Sequence, residues 1–159
     1  MDRSLTDKVT AYLRSHHVLT LATTGPEGVW AAAVFYVNDG FTFYFLSAPA
    51  SRHSRNLALN PRVAGTIQED YRDWPQIKGV QFEGEARRIQ GAEQAKTLGL
   101  YGLKFAVVGQ LHQAPPEIVK AMDKVAWFKV VPSRLYFIDN SLGFGHRDEV
   151  SLGTEATPA

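Results

Sequence analysis

The sequence predicts a mainly β fold: a small barrel of six to seven antiparallel strands with helices at its periphery. Short β-rich apolar runs follow one another, separated by tight-turn signals such as GPEG (25–28) and NDG (38–40). The first three runs are joined too closely for the crossover helices of a parallel sheet. A length of 159 residues with 45% apolar residues suits one core, so residues 1–150 are expected to form a single domain.

Residues 4–16 read as an amphipathic helix, with Ser4 and Asp7 as a start signal and Val9, Tyr12, Leu13 and His16 on one face. VLTLATT (18–24), VWAAAVFYV (29–37) and FTFYFLS (41–47) then form a three-strand meander. SRHSRNLAL (51–59) reads as a short helix, stopped by Asn60-Pro61. RVAGTIQ (62–68) is a strand, EDYRDWPQ (69–76) a polar loop, and IKGVQFEGEARRI (77–89) a long strand. Gly79 and Gly84 mark bulges or close approaches in that strand. Helices are expected at 91–105 and 115–126, strands at 127–132 and 134–139, and a frayed polar tail at 151–159.

Composition excludes several kinds of chemistry. With no Cys, the chain has no disulfide, thiolate nucleophile or Cys-ligated metal. The five His lie at no metal-ligand spacing, and no metal site is expected. Seventeen basic against sixteen acidic residues leave a net charge of +1, too little to draw the chain to nucleic acid or an acidic membrane. No apolar run is long enough to span a bilayer, and the charged N-terminus MDRSLTDKVTAYLRSHH lacks the apolar middle of a signal peptide. A cytoplasmic location is the expectation. No dinucleotide-binding GxGxxG, Walker A or GxSxG motif is present.

The segment richest in chemistry is FYFLSAPASRHSRNLALNP (43–61). A strand ends at Leu46-Ser47, a three-residue loop follows, and Ser51 stands where a helix begins. The first turn of a helix offers unpaired N–H groups and a positive dipole end. Ser47, Ser51, Arg52 and His53 add two hydroxyls, a guanidinium and an imidazole, a donor set suited to a phosphate dianion. The same spacing also fits a capped surface helix whose Arg52, His53 and Arg55 face solvent.

Those residues carry a resemblance. The order strand–TLAT–turn–strand, then F-L-S-x-P-x-S-R-H-S-x-N-L-x-x-N-P-x-V, then G-x-Q-x-x-G-E-A, resembles the FMN-binding split-barrel proteins related to pyridoxamine 5′-phosphate oxidase. The match covers roughly residues 17–90 and, more loosely, DNSLGFGHRDE (139–149). The resemblance implies that Leu46, Ser47, Arg52 and His53 meet the phosphate and ribityl chain of FMN, with Ser51 beside them. A Lys is common in the family where this chain has His53, a shorter donor, which implies phosphate affinity here that is weaker or sensitive to pH.

The resemblance further implies a homodimer with FMN in a groove between subunits. The backbone of Ala33, Val34, Phe35 and Tyr36 would then border the isoalloxazine ring, and Gln81 would reach it from the second subunit. Small side chains at Ala31, Ala32 and Ala33 would admit the ring, although tight barrel packing explains them equally well. A solvent-facing Gln81 on an alternating strand is likewise compatible with the sequence. The late RLHDR motif of the vitamin oxidase is absent, and GFGHRDE stands near its place. Only Arg147, and less directly His146, carry over as contacts to an anionic substrate; a Gly-rich surface turn fits the same residues.

The expected function is that of an FMN-binding flavoprotein, an oxidoreductase acting on a small organic substrate, with no catalytic residue assigned. The alternatives are a non-catalytic FMN- or haem-binding storage or sensor module and a cofactor-free interaction domain.

Overall fold

The computed structural model describes residues 3–153. A helix α1 (Arg3–Ser15) leads into the meander β1 (Val18–Gly25), β2 (Gly28–Asp39) and β3 (Thr42–Ser47). Helix α2 (Arg52–Leu59) precedes β4 (Arg62–Gln68) and β5 (Lys78–Ile89). Three helices follow, α3 (Gly91–Lys104), α4 (Ala106–Gly109) and α5 (Pro116–Met122), before β6 (Ala126–Asp139) and β7 (Arg147–Glu149).

The strands form one antiparallel sheet in the order β3-β2-β1-β4-β5-β6-β7, and a further β3–β6 pairing closes the first six into a barrel. Closure leaves β7 as an extra strand on the outer part of β6. Alternate residues face inward: Leu19 and Leu21, Val34 and Tyr36, Phe43 and Phe45, Val80 and Phe82, Leu135 and Phe137 are buried in the barrel core. Val9 and Leu13 of α1 join that core, and the buried Tyr36 hydroxyl donates to the Leu13 carbonyl at 2.7 Å. Outside the barrel, α3 covers a second cluster of Val37, Tyr44, Ile89, Tyr101 and Trp127.

The C-terminal third differs from the sequence-based expectation. The strands expected at 127–132 and 134–139 are one strand, β6, running through Pro132. Proline survives because the β5–β6 register shifts between Glu83 and Gly84, opposite Pro132, where the ladder is already irregular. Gly84 is required there, since a Cβ would lie 2.2 Å from the Val131 carbonyl oxygen. Helix α5 ends at Met122 rather than 126, and the strand β7 was not foreseen. Of the expected tail, Leu152 packs against the barrel core, and residues 154–159 lie outside the described residues.

Candidate functional site

The end of β3 and the start of α2 bring Ser47, Ser51 and His53 together. Strand β3 ends with Leu46 opposite Trp127 and Ser47 opposite Ala126. The Ser51 N–H donates to the Ala48 carbonyl at 3.0 Å, closing the loop tightly enough to turn the chain into α2. Ser51 is the N-cap: its backbone is extended, and its Oγ accepts from the Ser54 N–H at 3.3 Å. His53 Nε2 then lies 2.5 Å from Ser47 Oγ and 3.2 Å from Ser51 Oγ, with 3.2 Å between the two hydroxyls. His53 is buried, and burial pushes its pKa below the usual 6.5.

Two further contacts fix α2 against the barrel. Asn56, buried, donates from Nδ2 to Thr23 Oγ1 on β1 at 3.0 Å, and Leu57 enters the core. Arg52 reaches back to the β1–β2 turn, where its Nη2 donates to the Glu27 carbonyl at 2.8 Å. Its guanidinium lies 4.6 Å over the Trp30 ring, and the Glu27 carboxylate stands 3.6 Å from Nε and 3.9 Å from Arg55 Nη2. Arg52 Nε is nevertheless the one buried side-chain nitrogen or oxygen among the described residues without a hydrogen-bond partner.

Strand β2 borders this cluster with an open edge. It pairs with β1 from Gly28 to Phe35 but with β3 only from Tyr36 to Asp39, so among the described residues its stretch before Tyr36 has no second strand neighbour. Val34 and Tyr36 are buried in the barrel, while Ala33 is exposed and Phe35 is 61% exposed. The Phe35 carbonyl already accepts from the Tyr101 hydroxyl at 2.8 Å.

Gln81 lies elsewhere on the outer face. The register aligns Ala33, Thr20, Thr66 and Gln81 in one row across β2, β1, β4 and β5, and Ala31, Ala22, Ala64 and Glu83 in the next. Three strand spacings put Gln81 about 14 Å from Ala33 in the same chain. This face is built largely of small residues and holds a concavity of about 810 Å³ lined in part by Ala22, Thr24, Val29, Ala64 and Glu83. Ser47, Ser51, Arg52 and His53 do not line it.

His146 and Arg147 are further away still. Ser47 faces Ala126 at the start of β6, whereas Arg147 faces Ile138 near its end. Twelve residues of strand between those positions span roughly 40 Å if straight. One chain therefore does not unite the Ser47–His53 cluster with His146 and Arg147. His146 Nε2 lies 2.9 Å from Asp148 Oδ2, and the Arg147 guanidinium lies 5.9 Å from the centre of the Tyr136 ring. Nearby, Trp74 and Phe144 stack with ring centres 5.3 Å apart while remaining 66% and 78% exposed.

The sequence reading missed the partners of the α2 residues. Glu27 and Trp30 hold Arg52, and Asn56 holds the helix, yet the visible signals were only an acidic residue in GPEG and an Asn within the motif.

Comparison with known proteins identifies the family. The family profile described as pyridoxamine 5′-phosphate oxidase matches residues 5–139. A UPF0306 protein of Photorhabdus laumondii is 34% identical over 138 residues, covering 86% of this chain and 88% of that protein. A UPF0306 protein of Klebsiella pneumoniae is 35% identical, with 86% of each chain covered. Among solved structures, a conserved hypothetical protein of Mycobacterium tuberculosis superposes with a TM-score of 0.68 at 24% identity, over 99% of this chain and 95% of that one. The haem storage protein HutZ of Vibrio cholerae superposes with a TM-score of 0.67 at 19% identity, over 82% and 92%. By fold, profile and relatives, the chain belongs to the pyridoxamine 5′-phosphate oxidase family of split barrels, among its UPF0306 members rather than with the vitamin oxidase itself.

Proposed function

We propose that this protein is a cytoplasmic homodimeric flavoprotein that binds FMN and acts as an oxidoreductase on a small organic substrate. The observation that carries this reading is the donor set at the start of α2: two hydroxyls and an imidazole within 3.2 Å of one another, and on the same first helical turn Arg52, whose buried Nε is unsatisfied. A phosphate ester accepts from several donors at once, so these groups fit its terminal anion. Arg52 and Arg55 turn from the Glu27 carboxylate toward the incoming phosphate, and His53 takes up a proton as the anion arrives.

The open edge of β2 before Tyr36 supplies backbone groups for the polar rim of a flavin ring, and Leu46 flanks the ribityl chain. Ala33 and its small neighbours give a flat face that a ring or a second subunit can approach closely. Gln81, His146 and Arg147 reach the site from the other subunit, because the geometry of one chain keeps them away from α2. Bound FMN would supply hydride or electron transfer, while the chain anchors, orients and shields it.

A second reading has its own observation. His146 is paired through Nε2 with Asp148, the His–carboxylate arrangement that orients an axial metal ligand, and favours haem in a storage or sensor role. Absorbance of the protein after titration with FMN or haemin separates the readings: flavin bands support the first and a Soret band the second. Neither band leaves a cofactor-free interaction domain. The rate at which air reoxidises reduced bound FMN then divides oxidase from reductase.

A further inference from the structure

A separate cavity of about 450 Å³ lies where the C-terminal end of α1 meets α3 and β2. Its polar lining is Arg14, His17, Asn38 and Lys104, and Leu100 and Leu103 form an apolar wall. Among the described residues the lining contains no carboxylate, and Arg14, His17 and Lys104 form no ion pair. The nearby acid on β2, Asp39, is held by Lys96 at 2.5 Å.

Lys104 differs from the lysines of the chain that are ion-paired. Lys8, Lys96 and Lys129 each hold a carboxylate. The half-buried Nζ of Lys104 instead donates to the Leu13 carbonyl at 3.3 Å and lies 4.0 Å from the centre of the Tyr36 ring. A carbonyl dipole and a ring face replace little of the hydration an ammonium loses on burial. The buried Tyr36 phenol is neutral, its own pKa raised by burial, so it adds no anion. Arg14 and His17, which line the cavity with it, supply no carboxylate.

We propose that this cavity takes a small acyl phosphate and that Lys104 is the amine it acylates. Arg14 and His17 hold the phosphate end, and Leu100 and Leu103 receive the acyl chain. The Lys104 Nζ lone pair attacks the acyl carbonyl carbon, forming an N–C bond as the C–O bond to phosphate breaks. Inorganic phosphate departs, the amine proton passes to it or to solvent, and nothing is oxidised or reduced. The step needs the neutral amine, which burial makes accessible by lowering the Lys104 pKa to about 8.

The test is incubation of the intact protein with acetyl phosphate between pH 6.5 and 9, with peptide mass spectrometry following each lysine. Lys120 and Lys124, both exposed, are the controls in the same sample. At pH 7.5 the larger neutral fraction, less the loss of basicity, leads to acetylation at Lys104 about tenfold faster than at the controls. Its rate levels off above about pH 8. Arg14→Ala, an exposed change, slows acetylation by acetyl phosphate several-fold but leaves the reaction with an uncharged N-hydroxysuccinimide ester unchanged. Equal rates at Lys104 and Lys120, or equal slowing of both reagents by Arg14→Ala, would overturn the proposal.

Discussion

Asn56 and Gly25 occupy one space. A Cβ at residue 25 would stand 2.0 Å from Asn56 Oδ1, and that amide is held in place by its bond to Thr23. The missing side chain of one residue thus lets the other lock α2 onto β1. Gly25→Ala expels the Asn56 amide, and Asn56→Ala leaves Thr23 Oγ1 without its donor. Each is expected to destabilise the fold by about 1–3 kcal/mol in urea unfolding, and to weaken FMN because α2 loses its fixed position.

The proposed phosphate anchor gives a second expectation. Arg52→Ala combined with His53→Ala weakens FMN by at least about 2 kcal/mol, since two charge-assisted bonds are lost. Riboflavin, which lacks the phosphate, loses nothing. Glu27→Gln removes the carboxylate beside Arg52 and Arg55 and strengthens FMN binding a few-fold. Fluorescence titration measures all three; unchanged FMN affinity in the double variant removes α2 from the site.

Affinity should also depend on pH. In the free protein burial holds the His53 pKa below 6.5, so the ring is neutral at pH 7. A phosphate beside Nε2 favours imidazolium and raises that pKa, so binding takes up a proton. Affinity therefore rises as pH falls from 8 toward about 6, where the phosphate begins to lose its own second charge. His53→Gln should flatten the profile, and an equally steep profile in that variant would assign the proton elsewhere.

The outer face of β2 and β1 tests the dimer. Ala31→Arg places a charge among small residues that a second subunit would cover, and an unpaired charge in an interface costs several kcal/mol. Light scattering should report a dimer for the natural chain and a monomer for the variant, with FMN lost and circular dichroism unchanged. A natural chain that is monomeric with FMN bound would contradict the shared site.

Asp139 provides an expectation independent of any cofactor. Burial pushes its carboxyl up, but hydrogen bonds from Lys8 and from the Ser141 hydroxyl and N–H prevail and hold its pKa at about 2. The stabilisation is full above the ordinary value of 3.8 and is lost as pH falls toward 2. Asp139→Asn should therefore cost about 2 kcal/mol at pH 7 and little at pH 2, as measured by urea unfolding.

The barrel was legible because its signals are local. Strands β1 to β4 alternate inward and outward residues, the GPEG and NDG turns leave no room for crossovers, and Ser51 caps the helix it precedes. The long β6 was misread as two strands because Pro132 normally ends a run. Only its pairing with Gly84 on another strand makes proline tolerable.

The sequence by itself determined the strand pattern from β1 to β5, the split-barrel class and the grouping of Ser47, Ser51 and His53, the last all within seven residues of chain and set by one turn and one cap. Tertiary structure alone decided that Arg52 lies between Glu27 and Trp30, that Asn56 fills the space beside Gly25, and that Lys104 lines one cavity with Arg14 and His17. It also separated Gln81, His146 and Arg147 from α2. Short-range order follows from backbone geometry and side-chain period, which any few residues carry; long-range neighbours depend on barrel closure and register, which no local segment records.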